Sequence, residues 1–189
     1  PDETEEDVKE YMRPFYERDP GTKKYKDCIV PLGKDYHSLG DSVMNPRCVF
    51  KGDADLRGTD YQLSFNIITA PCTLGDKKPF SNGYVGEFLW FSGADTMDPW
   101  ASFDAEIEVE IGTSPSDMRV IKVTEPGVIA VPPGTWRGEV RVTRADRPVC
   151  FIPFYMSPKR RYKITQETVD GKEVLVYDDE TTITEPTAG

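Results

Sequence analysis

"VPPGTWRGEVRV", residues 131–142, is the stretch from which the fold is best approached. Pro132, Pro133 and Gly134 interrupt any regular element and favour a turn, because proline fixes φ and glycine supplies positive φ. From Trp136 to Val142 polar and apolar residues alternate, the period of a strand. Two assignments of its faces are open. In the first, Arg137, Glu139 and Arg141 look into the molecule and Val140 and Val142 look out. In the second, Val140 and Val142 face the core, Glu139, Arg141 and Thr143 face water, and Arg137 caps the turn or pairs with Glu87.

The rest of the chain has the same character. Short runs such as "CIVPL", "RCVF", "YQLSFNIITA", "EFLWFSG" and "VCFIPFYM" are rich in β-branched and aromatic residues. Gly, Pro, Asp and Asn punctuate them, which predicts an all-β sandwich or barrel. "DAEIEVEIG" alternates strictly. Ala105, Ile107, Val109 and Ile111 share one face; Asp104, Glu106, Glu108 and Glu110 share the other. A helix is expected only near the start, over residues 5–16, where acidic residues favour a helix N-terminus and Pro14 ends it. Asp170-Gly171 supplies the positive φ angles of a tight hairpin between strands at 161–169 and 173–177. The last ten residues read as a loose tail.

The 189 residues suit one domain with extra length for arms. Hydrophobic residues make up 38% of the chain, enough for a core. The net charge of −10 speaks against nucleic acid or an anionic membrane as partner. It leaves room for a small ligand held by a local basic cluster. No stretch approaches the roughly 20 apolar residues of a membrane helix. Cys28, Cys48, Cys72 and Cys150 form no CxxC pair, so a zinc ribbon is unsupported. Read as buried reduced thiols in a chain with no secretory leader, they give the expectation of a cytoplasmic protein.

Two segments carry a family resemblance. "GYVGEFLWFSG" (83–93) and "GVIAVPPGTWRG" (127–138) resemble the paired motifs of the cupin superfamily. Glu87 falls on the glutamate of the first motif and Gly93 on its closing glycine. Gly127 opens the second motif, and Pro132, Pro133 and Gly134 form its turn. "ADTMDPWASFDAEIEVEIG" and "RADRPVCFIPFY" resemble the intervening and closing strands of small bacterial cupins. The resemblance covers about residues 61–155. It implies an all-β, double-stranded β-helix (jelly-roll) barrel. With it the chain divides into a helical arm at 1–26, a barrel at 27–160, and a hairpin with tail at 161–189. The arm and the hairpin are candidates for a homodimer contact.

The resemblance also implies a metal held by histidines, and here the sequence departs from it. The two histidine positions of the first motif fall near Ser81 and Gly83, and that of the second falls on Arg137. His37, the only histidine, lies outside both motifs. A guanidinium stays protonated and repels a cation, so no metal and no cofactor are expected. In a cupin, Glu87 points inward with Leu89 and Phe91, and so do Arg137 and Arg141. The expected site therefore has Glu87, Arg137 and His37 as catalytic groups. Arg141, Tyr84, Trp136, Phe91 and Glu106 are expected to bind the ligand, with Trp90 an alternative to Trp136.

Arginines bind carboxylates and a desolvated glutamate moves protons. The leading expectation is thus a metal-independent isomerase, epimerase or lyase acting on a small carbonyl- or carboxylate-bearing molecule. The alternatives are a non-catalytic binding or assembly cupin, and a metalloenzyme with an unusual ligand set including Glu87 and His37.

Overall fold

The computed structural model describes residues 33–178, apart from 53–54, 56–58, 60, 76–77, 82, 84 and 157–162. The expected helix at 5–16, Cys28, Tyr84 and the C-terminal tail lie outside the described residues. The described chain is a succession of strands: β1 (Gly33–Asp35), β2 (Arg47–Phe50), β3 (Gln62–Ile68), β4 (Cys72–Leu74), β5 (Phe80–Ser81), β6 (Glu87–Gly93), β7 (Ala105–Gly112), β8 (Met118–Val123), β9 (Gly127–Val131), β10 (Trp136–Ala145), β11 (Val149–Tyr155), β12 (Lys163–Val169) and β13 (Lys172–Asp178).

They form two antiparallel sheets. The first runs β1-β2-β3-β11-β6-β9 and the second β13-β12-β5-β10-β7-β8, with β4 also paired to β10. The central strands pair as a folded ribbon: β3 with β11, β4 and β5 with β10, β6 with β9, and β7 with β8. Successive pairs alternate between the sheets, which is the winding of a jelly roll. The fold is the cupin-type double-stranded β-helix that the motif order implies.

Both sheets contribute to one core. Ile68, Leu89, Phe91 and Val149 come from the first, and Ile107, Val109, Val140 and Val142 from the second. Phe91 and Phe151 stack with ring centroids 4.9 Å apart. The "AEIEVEIG" strand lies as its alternation predicts, with Ala105, Ile107 and Val109 buried and Glu106 exposed.

The "QLSFNII" strand reverses the usual sense. Gln62, Ser64 and Asn66 face inward with Ile68, while Phe65 is exposed. Asn66 donates to Ser64 Oγ at 3.1 Å and to the Phe151 carbonyl at 3.1 Å, and it accepts from Arg47. Arg47 in turn pairs with the buried Asp35. Among the described residues the fully buried thiols expected from composition are not found. Cys48 is exposed and Cys72 and Cys150 are half-buried; Cys48 and Cys150 lie on outward positions of β2 and β11, whereas Cys72 packs against the edge of the core.

At the C-terminal end Asp170 and Gly171 take φ of 51° and 74°, the pair of positive values that a type I′ hairpin requires. The hairpin is joined to the second sheet, since Ile164 and Thr165 pair with Ser81 and Phe80 of β5. Among the described residues no helix is long and apolar enough to cross a membrane.

Candidate functional site

The site lies at one end of the barrel, where β3 and β6 begin and β9 and β11 finish. Strand register places Gln62 opposite Tyr155, Tyr155 opposite Glu87, and Glu87 opposite Val131. All four are buried, and Gln62, Tyr155 and Glu87 make a polar row across the inner face of the first sheet. Arg137 approaches it from the second sheet. Its Nε donates to Glu87 Oε2 at 2.9 Å and its Nη1 to the Gly138 carbonyl at 3.1 Å. The guanidinium carbon stands 4.7 Å from the centroid of the Phe80 ring, a cation–π contact. The side chains of Arg137 and Glu87 are only 6% and 0% exposed.

Glycines shape this end. Gly75 has φ of +88°, and a Cβ there would lie 3.4 Å from Arg137 Nη1. Gly138 lies at a β-bulge. Register shifts by one residue between the Arg137–Ile111 and Val140–Val109 pairs. A Cβ on Gly138 would come within 2.6 Å of a Glu110 carboxylate oxygen, so the glycine admits Glu110 above the strand.

The bulge corrects the first reading of "VPPGTWRGEVRV". One extra residue lets Trp136, Arg137, Val140 and Val142 all be buried, while Glu139 and Arg141 turn outward. Arg141 does not join Arg137. It bonds to Glu110 at 2.7 Å and Glu108 at 3.2 Å, and lies 3.7 Å from Glu139. Glu110 foremost, and Glu108 after it, push the Arg141 guanidinium further toward its charged form.

Of the other expected residues, Trp136 is buried, and Phe91 lies in the core two inward positions deeper than Glu87. Trp90 is 49% exposed on the outer face. Glu106 is exposed and bonded to Arg144. His37 is exposed in the loop after β1, where its backbone N–H donates to Asp35. Four strand positions separate β1 from β6, about 19 Å at the usual spacing. The structure therefore brings Glu87 and Arg137 together, and places His37, Arg141 and Glu106 elsewhere. Sequence reasoning missed Gln62, Tyr155 and Phe80. The signal for Gln62 was present in the polar set Gln62, Ser64 and Asn66 at period two.

The metal implied by the family pattern does not fit these residues. Glu87 is engaged by a guanidinium, and among the described residues no group of three or more His, Cys, Asp or Glu is placed to hold an ion.

No family model and no curated protein sequence matches the chain. Among solved structures it is similar to an oxalate oxidase, at 11% identity and a TM-score of 0.43, over 68% of this chain and 56% of that one. It is similar to peruvianin-I, described as a cysteine peptidase from Thevetia peruviana latex, at 11% identity and a TM-score of 0.49, over 76% of this chain and 80% of that one. It is similar to the oxalate decarboxylase of Lactobacillus farciminis in a formate complex, at 12% identity and a TM-score of 0.46, over 67% of this chain and 31% of that one. The chain thus spans little more than half the oxalate oxidase. No activity passes to this chain through likenesses of that level; its class, a jelly-roll barrel, rests on its own strand order.

Proposed function

We propose that this protein is a metal-independent, cupin-type enzyme that uses Glu87 and Arg137 for acid–base chemistry on a small carbonyl-bearing molecule, in the manner of an isomerase, epimerase or lyase. The observation that supports this reading is the buried Glu87–Arg137 pair at the end of the barrel, beside Tyr155 and Gln62. Glu87 takes the proton from a carbon next to the carbonyl. That step neutralises the carboxylate, so the charge of Arg137 that had balanced it now balances the negative charge developing on the carbonyl oxygen. The low exposure of both groups strengthens these interactions relative to water.

The test is solvent exchange. Dihydroxyacetone, D-fructose and pyruvate are incubated with the protein in heavy water, and carbon-bound proton loss is followed by NMR. Exchange by the wild type that disappears in Glu87→Gln supports the reading. Equal rates in wild type and variant, for all three probes, sink it.

A second reading, an assembly protein that pairs with another copy, is favoured by the outer face of the first sheet. Tyr61, Phe65, Phe88, Trp90 and Val128 are 36–50% exposed there. Light scattering on the wild type and on Trp90→Asp decides it. A dimer that becomes a monomer supports it, and a wild-type monomer at high concentration ends it.

A further inference from the structure

Gln62 stands in the same row as Glu87, yet the fold does not account for it. It is 1% exposed, opens β3, and faces into the barrel with Ser64, Asn66 and Ile68. Its Nε2 has no hydrogen-bond partner among the described residues. Buried polar groups in folded proteins are almost always satisfied, because an amide taken out of water without a partner loses its hydration for nothing in return. Asn66, two inward positions along the same strand, shows the usual solution: its amide nitrogen reaches Ser64 and the Phe151 carbonyl. A leucine or methionine would fill position 62 without the penalty. An amide kept there points to an acceptor that arrives from outside.

We propose that Gln62 is the ligand-recognising donor of this site, and that the ligand is small, uncharged and rich in oxygen: a hydroxyketone, lactone or sugar rather than a carboxylate. This rests on the acid–base reading above and narrows its substrate class. Gln62 and Glu87 lie two strands apart with Tyr155 between them, about 10 Å from backbone to backbone.

Charge in the site disfavours an acid. Arg137 is the guanidinium that faces this row, and it is already held by Glu87, the Gly138 carbonyl and the Phe80 ring. A carboxylate ligand would bring a second anion beside Glu87 in a desolvated site, an arrangement that burial penalises heavily. A neutral oxygen needs only a donor, which Gln62 supplies. A site built to hydrogen-bond an oxygen discriminates strongly against an analogue that cannot accept.

The experiment uses matched probes with the full chain: lactamide against lactate, and D-glucose against D-glucuronate. Binding is read by saturation-transfer NMR and thermal shift in wild type, Gln62→Met and Glu87→Gln. At least one neutral member binds, and its acid binds at least tenfold more weakly. Gln62→Met loses that binding at least tenfold and melts no lower than wild type, since Nε2 has no partner among the described residues to lose. The proposal is overturned by an acid that binds as well as its neutral partner, or by the failure of both neutral probes. It is equally overturned by a Gln62→Met variant that binds unchanged or melts well below wild type. Proton exchange that persists in Glu87→Gln defeats the underlying reading instead, whatever Gln62 does. Exchange lost in Glu87→Gln but untouched in Gln62→Met defeats this inference alone.

Discussion

Arg137 Nε lies 2.9 Å from Glu87 Oε2, and the two side chains come from opposite sheets. The contact ties the start of β6 to the start of β10 across the end of the barrel. It joins the two sequence positions where the family pattern would place a metal's carboxylate and one of its histidines. A guanidinium thus stands at Arg137 where an imidazole and its cation were implied, and it occupies the carboxylate itself.

Breaking this pair from one side leaves a buried charge without its partner. Glu87→Leu and Arg137→Met are each expected to destabilise the protein by about 3–5 kcal/mol. The double variant, apolar on both sides, is expected to lose less than the sum of the two. Denaturant unfolding of the four proteins measures this. Strict additivity would show that the two residues do not support one another.

The motif glycines differ in what they do. A Cβ on Gly93 would lie 2.6 Å from the Ser102 carbonyl carbon and 2.7 Å from Phe103 N, and Gly93 N donates to the Pro99 carbonyl at 2.8 Å. Backbone pressed this closely cannot step aside cheaply. Gly93→Ala is expected to cost about 3 kcal/mol, at the upper end for overpacking. Gly127 has φ outside the positive region, and a Cβ there would find its nearest neighbour at 3.9 Å. Gly127→Ala should therefore melt within a degree or two of wild type. Equal losses at both positions would contradict this account.

Much of the barrel was legible because alternation and turn chemistry are local. "AEIEVEIG" gave its buried and exposed faces correctly, and Asp170-Gly171 gave its hairpin. The order of the two motifs carried the topology. Three things were hidden. The phase of β10 changes at Gly138, and an inserted residue is invisible to a period-two count. The strand at Gln62 has one polar and one apolar face, and periodicity separates faces without saying which is inside. The separation of His37 from Glu87 depends on strand order within the sheet, which no local pattern encodes.

The β10 bulge can be tested directly. Val140 is 1% exposed in the core, whereas Arg141 lies among carboxylates on the outer face. Val140→Ala removes two methyl groups and leaves a cavity, an expected loss of about 2 kcal/mol. Arg141→Gln is expected to shift the melting temperature far less, and any effect should shrink in high salt. If Arg141→Gln proved the more damaging, the inward face of β10 would have to be the one that carries Glu139 and Arg141.

The half-buried thiols set a pH dependence with a definite sign. Burial pushes the thiols of Cys72 and Cys150 up from the ordinary cysteine value, with a hydrogen bond to Ser92 partly opposing it at Cys150. Thiolate is the reactive form, so these two should resist iodoacetamide at pH 8 while the exposed Cys48 is modified. Peptide mapping should show Cys72 and Cys150 catching up only as pH climbs beyond the ordinary range. The same shift bears on stability. The folded chain holds these protons to higher pH than the unfolded chain does. Below the unfolded value the two states bind equally and nothing is lost. As pH rises from that value toward the folded one, unfolding releases protons and stability falls. Replacing both residues, Cys72→Ala with Cys150→Ala, should flatten that alkaline decline in denaturant unfolding. A slope unchanged in the double variant would mean that the decline comes from other groups.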